Sequence, residues 1–398
     1  MSKSFCRLPF EHVNISPTGR FQICCEAFNE YSFENKKNLI TDYDNVMDWF
    51  NSDYMNNIRK QMIDDKPLKE CAGCYKLEKL GVWSPRIDKP EDTSKDIKWM
   101  NIKFGNMCNL KCKMCFPFSS SELMNEYKEL GWDKDDPNSE TPWKYFPNYM
   151  QSDFDWPNNP KALAALEKVT RLVNKLHFTG GEPMISTAFF KYLKYCIDND
   201  FAKNIDLVVT TNATTIHPMF VKIIKEFKSL HLMCSIDGTD KVYDYVRYPG
   251  NWNKTYANFK KYHDIMKDMP NAYLTYNTTV QYFNLHNLVD IAKALDPYVL
   301  RKQSEILVVH DPAYMTYKLL PDDFINQCLK QLFNYVIDRS NDEGMTVVTM
   351  ARNFRRDVMD EAVKQQLLTK LKWFVSKQDG HRGIDIGDYI PEVAPFLK

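Results

Sequence analysis

Three cysteines lie close together in the run Cys108-Asn-Leu-Lys-Cys112-Lys-Met-Cys115. Thiolates are soft ligands that select iron–sulfur clusters or zinc over hard cations. Three thiolates from one loop can bind three irons of a cubane and leave the fourth iron open, as a catalytic metal requires. A structural zinc site would need a fourth ligand nearby, but the next cysteine or histidine is His177. The spacing therefore favours a [4Fe-4S] cluster with one open iron.

The chain around and after these cysteines alternates between short apolar runs and amphipathic stretches, which predicts strands that alternate with helices. The predicted strands are Ile97–Phe104, Lys175–Phe178, Asp206–Thr211, Leu230–Ser235, Tyr273–Val280 and Glu305–Val309. The predicted helices are Lys161–Val173, Thr187–Ile197, Pro218–Phe227, Trp252–Met266 and Leu285–Leu295. This order predicts an α/β fold with a parallel sheet, and six such units would form a partial (β/α)6 barrel like a TIM barrel.

Polar and glycine-containing motifs follow the predicted strands directly. Thr179-Gly180-Gly181-Glu182-Pro183 follows the second strand, Thr211-Asn212-Ala213 the third and Ser235-Ile236-Asp237-Gly238 the fourth. Because active sites in such folds lie at the C-terminal ends of the strands, these motifs and Cys108 are expected to line one site. Gly-Gly and Asp-Gly are also common turn sequences, so each motif alone has a purely structural explanation.

Composition limits the possible function classes. The 398 residues suffice for a large α/β domain with an accessory module, and 52 basic against 52 acidic residues give no strong signal for nucleic-acid binding. No apolar run is long enough to cross a bilayer and the N-terminus lacks an apolar signal region, so we expect a cytoplasmic protein. Thiols stay reduced there, and eleven cysteines then indicate metal or redox chemistry.

Three motifs in this order resemble the radical S-adenosylmethionine (SAM) superfamily over roughly residues 97–310: Cys108-x3-Cys112-x2-Cys115, Gly-Gly-Glu-Pro and Ser-Ile-Asp-Gly. The resemblance implies that the open iron chelates the amino and carboxylate groups of SAM. It also implies reductive cleavage of SAM to methionine and a 5′-deoxyadenosyl radical, which abstracts a hydrogen atom from the substrate. A reductant such as flavodoxin or ferredoxin would supply the electron.

The resemblance further implies that Gly180, Gly181, Glu182 and Pro183 hold the SAM amino group through backbone carbonyls and the Glu182 carboxylate. The residue types suit this role, because glycines allow a ligand to approach the backbone closely and a carboxylate pairs with an ammonium group.

Five further residues are candidate SAM contacts by the same resemblance. Ser235 and Asp237 match positions that contact the SAM carboxylate or ribose, and Asn212 and Arg247 are additional candidates. The residue before the third cysteine is usually aromatic and packs near adenine. Here it is Met114, whose adaptable apolar side chain is expected to fill the same role.

The N-terminal cysteines form a second set. Gly19-x4-Cys24 followed by Cys71-x2-Cys74 resembles the auxiliary-cluster modules called SPASM or twitch, which here precede the barrel, as in a group of radical SAM proteins of which many are phage-encoded. The resemblance implies that Cys6, Cys24, Cys71 and Cys74 ligate an auxiliary [4Fe-4S] or [2Fe-2S] cluster for electron transfer, with Cys25 as an alternative to Cys24. A four-cysteine zinc site fits the same spacing.

The predicted domains are an auxiliary-cluster module at 1–90, a radical SAM core at 97–315 with an insertion at about 117–160, and a mostly helical region at 316–398. No catalytic residue beyond the cofactor ligands is assigned. Asp311 ends the sixth predicted strand, and Cys328 could serve as a thiol hydrogen-atom donor. Cys196 and Cys234 lie in apolar patterns typical of buried structural cysteines.

The sequence thus predicts a radical SAM enzyme that modifies a peptide or protein. A nucleotide, sugar or other small metabolite is the alternative substrate. Two predictions of another class are a zinc-binding adaptor and an iron–sulfur electron-transfer protein. The Gly-Gly-Glu-Pro motif argues against both, because neither needs a cradle for an amino acid.

Overall fold

The computed structural model describes residues 4–27, 38–79, 84–87, 92–132, 152–301, 304–338, 354 and 359–397. The chain divides into two compact units. The first unit comprises residues 1–107, 151–210 and 217–231, and the second comprises residues 108–150, 211–216 and 232–398. Both units are therefore assembled from separate stretches of the chain. The middle of the predicted insertion, residues 133–151, lies outside the described residues.

Eight strands lie in the described part of the chain. They are β1 (His12–Ile15), β2 (Phe21–Gln22), β3 (Trp99–Ile102), β4 (Lys175–Phe178), β5 (Asp206–Thr211), β6 (Ser229–Ser235), β7 (Ala272–Val280) and β8 (Glu305–Val308). The six predicted strands are β3 to β8, and the predicted bounds of β4 and β5 match those of the structure.

In the first unit the strand order is β2-β1-β3-β4-β5. The pairs β1–β3, β3–β4 and β4–β5 are parallel, and β1–β2 is antiparallel. The register of β3 on β4 runs from Trp99 opposite Lys175 to Ile102 opposite Phe178. Strands β1 and β2 were not predicted, and β1 pairs directly with the first predicted strand.

In the second unit, β7 and β8 pair in parallel, from Asn277 opposite Glu305 to Val280 opposite Val308. Strand β6 begins in the first unit and ends in the second at Ser235. The predicted α/β fold with a mostly parallel sheet is confirmed. The predicted domain boundaries near residues 90 and 315 stay a prediction.

Helices separate the strands. They are α1 (Leu8–Glu11), α2 (Val46–Phe50), α3 (Asp53–Ile63), α4 (Ala72–Lys79), α5 (Ser121–Glu129), α6 (Pro160–Thr170), α7 (Thr187–Asp198), α8 (Pro218–Ile223), α9 (Asp240–Val246), α10 (Trp252–Met266), α11 (Leu288–Leu295), α12 (Asp322–Asp338), α13 (Glu361–Arg382) and α14 (Ile386–Tyr389). No helix in the described ranges is both long and apolar enough to cross a membrane.

Local sequence explains where these helices begin. The Ser186 hydroxyl accepts a hydrogen bond from the backbone N–H of Phe189 and caps α7, and the Asn251 side chain caps α10 in the same way. Helix α6 begins at Pro160, whose missing N–H costs nothing at the first helical position. The described residues after 321 are mostly helical, as predicted.

Each unit has its own apolar core. In the first, Leu176 and Phe178 alternate with less buried residues along β4, as a strand with one face against a core requires. In the second, Leu274 and Tyr276 of β7 are fully buried. These cores hold the strands whose C-terminal ends carry the candidate site residues.

Candidate active site

The cysteine loop, residues 108–115, belongs to the second unit. Its backbone pairs with the segment after α9, because Lys111 N–H donates to the Tyr248 carbonyl at 2.6 Å and Lys113 N–H to the Val246 carbonyl at 2.9 Å. Cys115 N–H closes a turn onto the Cys112 carbonyl at 3.1 Å. Main-chain hydrogen bonds, both within the loop and to residues 246 and 248, therefore hold the loop in place.

The three thiols of this loop influence one another. Burial raises the pKa of the Cys115 thiol well above its usual value, and the charges of Cys112 and Cys108 raise it further. Burial also raises the pKa of Cys112, whereas Arg247 lowers it. A metal binds the thiolate, so a bound cation would remove the cost of holding these sulfurs together.

Among the described residues, no three His, Cys, Asp or Glu side chains surround one point as a single metal ion requires. In a cubane cluster each cysteine binds a different iron, so the sulfurs need not surround a single point.

A buried ion pair lies behind Cys112. The Arg247 guanidinium approaches the Asp237 carboxylate at 2.7 Å (Nη2 to Oδ2), and its Nη1 lies 3.9 Å from the Cys112 sulfur. Burial raises the pKa of the Asp237 carboxyl, while Arg247 lowers it. Burial alone would lower the pKa of Arg247, but Asp237 and Cys112 outweigh it and raise that pKa. A fixed positive charge therefore faces the thiol.

Asn212 was a candidate SAM contact, and the structure places it beside the first cysteine of the loop. Its Nδ2 donates to Asn109 Oδ1 at 2.9 Å and lies 3.9 Å from the Cys108 sulfur. Asn109 in turn donates to the Thr214 hydroxyl at 3.0 Å. Sequence reasoning had not singled out Asn109, although its position directly after Cys108 was a signal.

The Gly-Gly-Glu-Pro motif lies in the first unit, directly after β4. A Cβ built on Gly181 would lie 2.2 Å from the Met107 carbonyl oxygen, and one on Gly180, whose φ is +101°, would lie 2.7 Å from the Lys103 Cβ. Glu182 N–H donates to the same Met107 carbonyl at 2.7 Å. Only glycine fits where this turn meets the backbone before the cysteine loop.

Glu182 is buried, and one of its carboxylate oxygens accepts a hydrogen bond from Met184 N–H at 2.9 Å. This bond fixes the carboxylate at the start of a short helical turn. The carboxylate borders a small open cavity of about 220 Å³ in the first unit, lined by Ile102, Phe104, Phe178, Thr179, Gly181, Glu182, Pro183, Ser186 and Phe189. An ammonium group in this cavity would find a fixed anionic partner.

The remaining candidates are placed as follows. Ser235 is the last residue of β6 and is half-buried, as is Met114 in the cysteine loop. Asp311 is exposed after β8; partial burial raises the pKa of its carboxyl and Lys370 lowers it. Cys328 is buried on α12, where burial raises its pKa to about 11. Each role stays a prediction.

The N-terminal cysteines come together in the first unit. Burial raises the pKa of the Cys24 thiol well above its usual value, and the charges of Cys25, Cys6, Cys71 and Cys74 add to this effect. Burial, followed by neighbouring thiols, raises the pKa of Cys71 to about 12. These thiols are thus near enough to influence one another, and their role as cluster ligands stays a prediction.

Cys25 lies beside Cys24, because its charge has the largest effect of the four thiols on the pKa of Cys24. Its own sulfur lies 3.8 Å from a Glu26 carboxylate oxygen. Burial and Glu26 raise its pKa to about 11, while Lys103 lowers it. Glu26 is therefore the strongest charged neighbour of Cys25.

Replacing Cys24 with serine is expected to remove the iron bound by the N-terminal set, whereas Cys25→Ser should retain it. The charges of Cys6, Cys71 and Cys74 act on the Cys24 thiol, whereas Glu26 is the strongest charged neighbour of Cys25. The measurement is iron per chain after anaerobic reconstitution. Both variants also carry Cys108→Ala, so that only iron bound by the N-terminal cysteines is counted. Retention by Cys24→Ser together with loss by Cys25→Ser would reverse the ligand assignment.

The first predicted strand leads into the three-cysteine loop, and the second leads into the glycine turn that carries Glu182. Residues 102–295 match the model of the radical SAM superfamily. Residues 102–295 therefore form a radical SAM domain. The family of this domain implies a [4Fe-4S] cluster and SAM as cofactors.

Several known proteins are similar to the chain. The radical SAM cyclopropyl synthase TigE of Paramaledivibacter caminithermalis is 24% identical over 326 residues, which cover 79% of this chain and 63% of TigE. SuiB of Streptococcus suis bound to S-adenosylmethionine is 16% identical, with 72% of this chain and 53% of that chain covered and a TM-score of 0.39. The protein anSMEcpe with bound AdoMet is 18% identical, with 62% and 60% covered and a TM-score of 0.37. The chain thus spans less than two thirds of the length of each.

Proposed function

We propose that this protein binds SAM at a cluster held by Cys108, Cys112 and Cys115 and abstracts a hydrogen atom from a peptide or protein. The observation that carries the proposal is the loop itself, in which three mutually interacting thiols face the fixed charge of Arg247. When bound, the cluster and SAM together supply one electron and a carbon-centred radical.

The side chains around the loop have distinct roles in this proposal. The three cysteines are the only protein ligands of the cluster. Arg247 offsets thiolate charge next to Cys112, and Asp237 holds Arg247 in place through the 2.7 Å ion pair. Asn212 fixes the start of the loop through Asn109.

In the first unit, Gly180 and Gly181 let the turn pack closely against Lys103 and Met107, and in the proposal the turn offers its backbone carbonyls to the amino group of SAM. The buried Glu182 carboxylate binds the same ammonium group. Ser235 and Met114 contact SAM more loosely in the proposal. Their half-buried positions leave surface for a ligand.

Two lines of reasoning support the reaction and the substrate. TigE is named a cyclopropyl synthase, and closing a carbon ring on unactivated carbon begins with loss of a C–H hydrogen. The resemblance of the N-terminal cysteines to SPASM and twitch modules supports a peptide or protein substrate. Cys6, Cys24, Cys71 and Cys74 hold an auxiliary cluster that passes electrons, and flavodoxin or ferredoxin is the reductant.

The first test is SAM cleavage. Anaerobically reconstituted protein, reduced with dithionite, should show a broad visible absorbance and convert SAM to 5′-deoxyadenosine. Cys115→Ala should abolish product formation, because one iron loses its ligand. Cys196→Ala is the matched control, since Cys196 is a buried thiol on α7. Colourless protein with stoichiometric zinc and no product would contradict the proposal.

The substrate class needs a separate experiment. A lysate from cells grown in deuterated medium is split by size, and each fraction is added to the enzyme with unlabelled SAM. Deuterium in 5′-deoxyadenosine that depends on the large fraction, and is lost after protease treatment, supports a peptide or protein. Deuterium that depends only on the small fraction would show a metabolite substrate instead.

A further inference from the structure

The C-terminal end of α13 carries three buried polar side chains, and two of them contact the cysteine loop of the second unit. Gln378 and Asp379 are buried, and the Arg382 side chain is 1% exposed. The loop residues that Asp379 and Arg382 contact, Lys113 and Lys111, lie 266 and 271 positions earlier in the chain. A helix that only covered a core would present apolar side chains at this position.

One contact joins Asp379 to the middle of the loop. Its carboxylate forms an ion pair with Lys113, which stands between Cys112 and Cys115 and whose side chain is fully buried. The other carboxylate oxygen accepts a hydrogen bond from the Tyr245 hydroxyl at 2.9 Å. The Lys113 ammonium group also lies 4.2 Å from the centre of the Tyr245 ring. Lys113 is thereby enclosed by one anion and one aromatic face.

A second contact joins Arg382 to the residue before Cys112. Its Nη2 donates to the Lys111 carbonyl at 2.7 Å and to Glu126 Oε1 at 2.8 Å, while Nε donates to Glu126 Oε2 at 2.9 Å. Glu126 is fully buried on α5 and also accepts from Gln378 at 2.8 Å. The two-pronged Arg382–Glu126 pair has the geometry that lysine cannot reproduce.

We propose that Asp379 and Arg382 are positioning residues that hold the cysteine loop in the conformation in which it presents its thiols. The two side chains act on both sides of Cys112: Arg382 through the Lys111 main chain and Asp379 through the Lys113 side chain. The inference rests on the proposed cluster at this loop, but the position of the loop can be measured without a cluster.

The main test is Arg382→Lys, which keeps the charge and loses the two-pronged pair and the bond to the Lys111 carbonyl. In the reconstituted enzyme, the rate at which a chelator removes iron should rise about tenfold or more, as for other groups that orient metal ligands. In the apo-protein, maleimide should label Cys112 and Cys115 faster. Because the variant keeps its charge, this change reports the position of the loop.

Asp379→Asn is the second variant, and its expected result is lower iron per chain and a changed electron paramagnetic resonance signal of the reduced cluster. His381→Ala is the matched control. It removes an exposed contact of the same helix, 3.0 Å from Glu129, and should change nothing. Circular dichroism confirms that each variant folds.

The outcomes separate the two proposals. Unchanged iron loss and unchanged labelling in both folded variants would overturn the positioning role. Faster labelling in the variants would support the positioning role. If the wild-type protein also never assembled a cluster at this loop, the positioning role would stand and the proposed function would be overturned.

Discussion

Gly181→Ala is expected to abolish SAM binding and the formation of 5′-deoxyadenosine. The added Cβ would lie 2.2 Å from the Met107 carbonyl oxygen and 2.8 Å from the Asn106 carbonyl carbon, so a backbone segment must move. Met107 directly precedes Cys108, and Glu182 N–H donates to the same carbonyl. The substitution therefore displaces both the proposed ammonium partner and the entry to the cysteine loop. Overpacking of this kind costs about 1–3 kcal/mol of stability.

Equilibrium dialysis with labelled SAM and a product assay measure the effect, and chemical denaturation shows whether the variant is folded. Gly380→Ala is the control, because a Cβ on this exposed helical glycine meets nothing within 4 Å. It should bind SAM normally and gain roughly 0.5–1 kcal/mol from the better helix propensity of alanine. A folded Gly181→Ala protein that binds SAM as the wild type does would contradict the assigned cradle.

Much of the fold follows from hydrophobic periodicity. The predicted bounds of β4, β5 and α10 agree with the structure. The apolar residues of β4 and α10 repeat with the period of the element, β5 is a short continuous apolar run, and Asn251 caps the start of α10. The two N-terminal strands were missed. In β1, all four residues including His12 and Asn14 are buried, so no alternation of polar and apolar residues reveals the strand.

The candidate site was predictable only in part, for a similar reason. The cysteine motif and the glycine turn each consist of residues that are close together in the sequence, so both can be recognised without a structure. Asp237 and Arg247 were each expected to contact SAM, which stays a prediction; their ion pair with each other was not predicted. The link from Lys113 to Asp379 spans 266 positions, and nothing local to either residue indicates the other.

Asp237→Asn is expected to destabilise the protein by about 3–5 kcal/mol, because it leaves the buried Arg247 charge without its partner. Asparagine keeps the shape and can still accept the 2.7 Å hydrogen bond from Thr279 N–H, so the lost charge is the main change. Urea unfolding measures the effect. Asp198→Asn, which breaks an exposed pair with Lys194, is the control and should cost at most about 0.5 kcal/mol.

A double variant, Asp237→Leu with Arg247→Met, separates stability from function. Replacing both members of a buried pair with apolar residues is often neutral in other proteins. Leucine cannot accept the hydrogen bond from Thr279 N–H, so this variant should be more stable than Asp237→Asn but remain about 1–3 kcal/mol below the wild type. It should still bind its loop cluster less tightly, because Cys112 then lacks the positive charge that lay 3.9 Å away. Normal iron retention and normal SAM cleavage in the double variant would show that the pair serves folding alone. Loss of both in a stable protein would assign Arg247 to the environment of the cluster.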